Sequence, residues 1–181
     1  MPVLVAYASR HGSTRGIGER IAQRLAASGL PVEALPVEAV RDVRAYDAVV
    51  LGSALYMFHW LREASSFARR NSAALAGTPV WLFSSGPLGP GTVDKRGRDL
   101  REVSGPREIE QLRRWLHPRD HRVFFGAWDQ GNKPIGFWER IALRMPTTRA
   151  GLPNVDLRDW PNIEAWADSI AAELSGAAGA S

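Results

Sequence analysis

Short apolar runs alternate along this chain with stretches in which apolar residues return every three or four positions. Residues 2–8, Pro2-Val3-Leu4-Val5-Ala6-Tyr7-Ala8, form an apolar run bounded by polar residues, the pattern of a buried strand. Over 13–28, Ile17, Ile21, Ala22, Leu25 and Ala26 fall on one helical face, and Ser28-Gly29 followed by Pro31 ends the helix. Residues 32–37 read as a weaker strand, and Pro36 within it assigns it to a sheet edge. Residues 45–53, 78–85 and 121–128 read as further strands. Helices are predicted over 61–75, over 107–116 with a stop at Pro118, and over 162–174 with Ile163, Trp166, Ala167 and Ile170 facing inward. The small residues of 175–181 read as a frayed tail.

This rhythm predicts an α/β fold: one domain over 1–174, with a doubly wound, five-stranded parallel sheet of order 2-1-3-4-5 and helices on both faces. Two connections are long for a compact domain, a loop over 86–105 and a connection over 129–161. Such sheets bind ligands outside the C-terminal ends of their strands, where strand order reverses. The residues following strands one, three and four are therefore the candidate site.

After strand one comes Ser9-Arg10-His11-Gly12-Ser13-Thr14, leading into a helix. Hydroxyls and a glycine at a helix start suit either a phosphate monoester or an ordinary N-cap. The stretch matches neither a P-loop nor a dinucleotide fingerprint. After strand three comes Ser53-Ala54-Leu55-Tyr56-Met57-Phe58-His59-Trp60. Tyr56 suits contact with a planar ligand. Phe58 and Trp60 are expected in the next helix, facing the core, and His59 is either a donor to substrate or a structural histidine. After strand four come Ser84-Ser85-Gly86-Pro87, at the start of a loop that reads as a lid or as a solvated connection.

Composition narrows the chemistry. Hydrophobic residues make up 45% and charged residues 23%, which is the globular range. The absence of cysteine excludes disulfides, thiolate metal sites and a cysteine nucleophile, and no metal site is expected. No apolar run approaches the roughly 18 residues of a membrane span, and no secretory signal is read at the start, so the expected location is the cytoplasm. Net charge is +4, and 21 of the 23 basic residues are arginine. Residues 94–149 carry 13 basic and 8 acidic side chains, a net of +5, so the excess is local. It suits an anionic small molecule, an acidic partner or an anionic membrane surface, or simply a solvated Arg-rich face. No nucleic-acid-binding motif accompanies it, so nucleic acid is not an expected partner. Within 135–145, Arg140 and Arg144 are four apart beside Ile135, Phe137, Trp138 and Ile141. This fits an interfacial helix touching lipid or a carboxylated planar substrate, or a short packed helix with solvated arginines.

The three loops Ser9–Thr14, 52–56 and 83–87 resemble the flavin-binding loops of flavodoxins. The resemblance implies FMN as cofactor. The first loop, with Ser9, Arg10, His11, Gly12, Ser13 and Thr14, would hold the phosphate. Ser53, Ala54, Leu55 and Tyr56 would flank one side of the ring, and Ser84, Ser85 and Gly86 the other. Within that family the chain is most similar to the menaquinone-dependent protoporphyrinogen dehydrogenase group. His59 after the second loop, the long connection with Phe137-Trp138, and Asp159-Trp160 before the last helix carry this likeness.

The resemblance implies an FMN-dependent oxidoreductase acting on a porphyrinogen or quinone-like compound. His59 is the candidate for substrate binding or proton transfer, with Arg140 and Arg144 as substrate contacts. Two other readings stand beside it. One is an electron carrier serving a redox partner protein. The other is a flavin-free binding domain of the same fold. A homodimer is the default assembly for an enzyme, and the 135–145 segment offers a peripheral membrane contact.

Overall fold

The computed structural model describes residues 1–86, 97, 99, 105–128 and 155–178. The parallel sheet is built from β1 (Val3–Ala8), β2 (Val32–Pro36), β3 (Ala48–Tyr56), β5 (Val80–Ser85) and β6 (Asp120–Phe124). The order β2-β1-β3-β5-β6 is the predicted 2-1-3-4-5 order. The extra number comes from β4 (His59–Trp60), which folds back antiparallel on the end of β3, with Leu55 opposite Trp60 and Tyr56 opposite His59. Helices are α1 (Ser13–Ala27), α2 (Arg62–Asn71), α3 (Ile109–Leu116) and α4 (Trp160–Ala178).

Alternation along the strands divides the core into two layers. Val3 and Val5 of β1 face α1 and α4, meeting Ile17, Ile21 and Leu25 on one helix and Ile163, Trp166 and Ile170 on the other. Leu4 and Ala6 face the opposite way, toward Phe67 of α2 and Leu112 of α3. A strand with no polar face needs cover on both sides, and the helices supply it. On the α1–α4 surface, Arg20 pairs with Glu164 at 2.9 Å and Arg24 with Asp168 at 2.6 Å, both exposed. Arg119 pairs with Glu173 and Arg122 with Asp120 in the same manner. Four of the 21 arginines are thus engaged in surface pairs worth little individually.

Several boundaries differ from the sequence reading. The fifth strand stops at Phe124. The apolar run then continues as β7 (Ala127–Trp128), which pairs antiparallel with β8 (Val155–Asp156) in a separate two-stranded sheet. The helix expected over 61–75 ends at Asn71 and passes into turns. A short 3-10 helix over Val43–Ala45, its start capped by the Asp42 carboxylate, precedes β3. The last helix starts two residues early and runs to Ala178, beyond its expected end at 174. Arg140 and Arg144, most of the 86–105 loop and residues 129–154 lie outside the described residues.

Candidate functional site

The C-terminal ends of β1, β3, β5 and β6 converge on one cavity of about 170 Å³, lined by Ser9, Arg10, His11, Ser13, Thr14, Ala54, Leu55, Tyr56, Ser85, Gly86, Gly126 and Ala127. A wider groove of about 450 Å³ lies between the end of α2 and residues 114–119, but none of the predicted loops reaches it. Position at the strand ends, not size, singles out the first.

The β1–α1 loop closes on itself. The Gly12 N–H donates to Ser9 Oγ at 3.2 Å, and Gly12 takes φ +84°, a left-handed conformation that glycine adopts without steric penalty. Helix α1 then begins with no side-chain cap and no acidic residue in its first turn. The first N–H groups of such a helix lack carbonyl partners within it and attract anions. Thr14 is buried, and Ser13 Oγ accepts the Ala127 N–H at 2.8 Å while meeting Ser85 Oγ at 3.4 Å. Among the described residues lining the cavity, Arg10 and His11 are basic and none carries a carboxylate. That balance favours an anion.

The opposite wall is apolar. Ala54, Leu55 and Tyr56 are half-buried, and the Arg10 guanidinium lies 5.1 Å from the Tyr56 ring centroid, joining the first loop to the second. Beyond Tyr56, Met57 and Phe58 form a two-residue turn with φ of 50° and 65°. Such hairpin turns ordinarily carry Asn or Gly, and each bulky residue held there costs about 1 kcal/mol or more. Gly86 takes φ +127°, donates its N–H to Phe124 O at 2.9 Å, and leaves no slack for a Cβ, which would stand 3.3 Å from Leu55 Cβ.

Most predicted site residues therefore meet, with several exceptions. Ser53 and Ser84 do not line the cavity and are fully buried. Ser53 Oγ accepts the Leu61 N–H at 3.0 Å and donates to Ala54 O. Ser84 Oγ accepts from Trp60 Nε1 at 2.8 Å and lies 2.9 Å from His121 Nε2. Gly12 shapes the loop without lining the cavity. His59 is outside it as well, with Nδ1 3.0 Å from Glu108 Oε2. Phe58 is not in a helix facing the core but 48% exposed in the hairpin turn, whereas Trp60 is buried as expected, in β4 rather than in a helix. Gly126 and Ala127 were missed: the strand-end rule applies equally to the fifth strand, where their small size was the available signal.

Beneath the site, burial and the nearby Arg113 charge push the His121 pKa down to about 4, against a smaller opposing effect of Asp120. His121 is then neutral at pH 7. Its Nε2 and Ser84 Oγ share one hydrogen bond, alongside the bond that Ser84 Oγ accepts from Trp60.

Comparison with known proteins finds a match to the flavodoxin domain over residues 4–154. No curated protein matches in sequence. Among solved structures, a cysteine-to-serine mutant of flavodoxin from Pseudomonas aeruginosa superposes with TM-score 0.58 at 16% identity, covering 97% of this chain and 99% of that one. A flavodoxin from the domain Archaea gives 0.56 at 14%, with the same coverage. The rubredoxin oxygen:oxidoreductase of Desulfovibrio gigas gives 0.56 at 13%, and there 97% of this chain covers 36% of the larger protein.

Proposed function

The chain belongs to the flavodoxin domain family, and from that premise we propose that it binds FMN in the cavity at the strand ends and acts as an oxidoreductase. The observation carrying this reading is that one cavity joins an uncapped, acid-free helix start to an apolar wall bearing Tyr56. These residues fit the two ends of the cofactor, a phosphate monoester and a flat ring.

In this reading Ser9, His11 and Thr14, with main-chain N–H groups of the α1 start, hold the phosphate. Ser13 contributes its main-chain N–H, and its hydroxyl, which accepts the Ala127 N–H, keeps its own proton to donate. Ala54, Leu55 and Tyr56 exclude water from one side of the ring, and Ser85 and Gly86 from the other. Gly126 and Ala127 close the floor. When bound, FMN supplies the redox chemistry, taking up and passing on electrons.

The finer reading is an activity of the protoporphyrinogen dehydrogenase kind, with a porphyrinogen or quinone-like substrate. Arg10 at the cavity and the net charge of +4 support an anionic substrate such as a porphyrin carboxylate. Arg140 and Arg144 would add to this.

The test is an absorption spectrum taken after incubation with FMN and removal of the excess. Wild-type protein should keep flavin bands, and a Ser13→Glu, Thr14→Glu variant should lose them. No retained flavin at micromolar FMN overturns the reading. Given retained flavin, consumption of protoporphyrinogen with a quinone acceptor supports the enzyme, and its absence leaves an electron carrier.

A further inference from the structure

The Met57–Phe58 turn is not held by its own side chains, which are 82% and 48% exposed. Both residues nonetheless sit in the left-handed region, which bulky residues rarely adopt. Its restraints come from a different part of the chain. Phe58 O accepts the Arg107 N–H at 2.8 Å. Glu108 Oε1 accepts the Trp60 N–H at 2.8 Å, and Oε2 lies 3.0 Å from His59 Nδ1. The Glu108 side chain is 16% exposed and its bond to the Trp60 N–H is part-buried, whereas the His59 side chain is 52% exposed. Trp60 is further pinned by its indole N–H to Ser84 Oγ.

The register carries this restraint to the cavity. His59 is the ladder partner of Tyr56, and Trp60 that of Leu55. Tyr56 and Leu55 both line the cavity, whereas His59, Trp60 and Glu108 do not. A carboxylate fixing both residues of β4 therefore fixes, one strand over, the wall opposite the hydroxyl loop.

We propose that Glu108 is a positioning residue: its carboxylate clamps β4, holds the strained turn, and so sets the Tyr56–Leu55 wall of the cavity. Its consequence for cofactor binding rests on the FMN reading. The clamp itself does not.

Glu108→Ala and Glu108→Gln variants test it in two arms. Without flavin, Trp60 amide exchange in Glu108→Ala should accelerate by about tenfold or more, and the Tyr56 ring resonances should shift or broaden. Glu108→Gln, whose amide oxygen can still accept from Trp60, should restore most of the protection. With flavin, Glu108→Ala should weaken riboflavin and FMN alike, about tenfold, because in the FMN reading the wall flanks the ring that both share rather than the group held by the phosphate loop. Damage transmitted to that loop would weaken FMN alone. Unchanged Trp60 exchange and Tyr56 signals in both variants overturn the clamp. Faster exchange with unchanged affinity for both flavins, or a loss confined to FMN, overturns the positioning role. A wild type that retains neither flavin sinks the FMN reading, and the flavin-free arm still decides the clamp.

Discussion

The Ser13 hydroxyl accepts the main-chain N–H of Ala127 across 114 positions of sequence, at 2.8 Å. It ties the loop after β1 to the segment after β6, two adjoining parts of the cavity lining. Ser13→Ala leaves that N–H without its partner and should cost about 1–2 kcal/mol in urea unfolding. It should also weaken FMN retention. Ser13→Thr, which keeps the hydroxyl, should stay close to wild type in both.

β1, β3 and β5 were legible because each is built on a continuous apolar run, and Pro36 in β2 correctly marked an edge strand. The break after Phe124 was not legible. Val123-Phe124-Phe125-Gly126-Ala127-Trp128 has no change of hydrophobic pattern where the chain leaves one sheet for another, since the partner strand at 155–156 is remote. The β3–β4 hairpin was hidden for a related reason. Its turn residues, Met57 and Phe58, carry no Asn or Gly signal, and the bonds that hold them come from residues 107–108. Spacing placed the three loops at the cavity, but not which hydroxyls turn away from it. Ser53 and Ser84 differ from Ser85 in pleat and in nearby partners, Leu61 for one and Trp60 with His121 for the other.

Gly52 lies against the ring of Phe83, which any Cβ at position 52 would overlap. Phe83 is fully buried, and the rings of Phe124 and Trp166 each stand 6.4 Å away, which limits its retreat. Gly52→Ala should destabilise the protein by about 3 kcal/mol, measured by chemical denaturation. Phe83→Leu in the same chain should recover part of that loss, giving a positive coupling in the double-mutant cycle.

Ser84 joins the hairpin to the fifth strand of the sheet through Trp60 and His121. Ser84→Ala orphans a buried indole N–H and removes a partner of His121. The expected cost is about 1–3 kcal/mol. Because Trp60 is held through this hydroxyl, its side-chain N–H should also exchange faster with solvent in the variant. An unchanged exchange rate would contradict the geometry.

His121 gives the protein a pH dependence whose sign is fixed. Its folded-state pKa, about 4, lies below the 6.5 of an unperturbed histidine. As pH falls the unfolded chain takes up this proton first, so stability is full above about 6.5 and declines toward 4. The loss from this group is at most about 3 kcal/mol. Asp120 contributes at lower pH. Burial pushes its carboxyl up, but hydrogen bonds from Arg122 and Trp166 outweigh that and hold it below the usual range. Urea midpoints at pH 7 and pH 5 should therefore differ more in wild type than in His121→Gln.

The small sheet formed by Ala127–Trp128 and Val155–Asp156 pairs residue 128 with residue 155. The polypeptide thus departs from and returns to a single spot beside the cavity, and 26 residues separate the two strands in sequence. A segment attached this way can be exchanged without rethreading the parallel sheet, because its ends already meet. Such a junction lets the length and composition between residues 128 and 155 vary while the parallel sheet keeps its order.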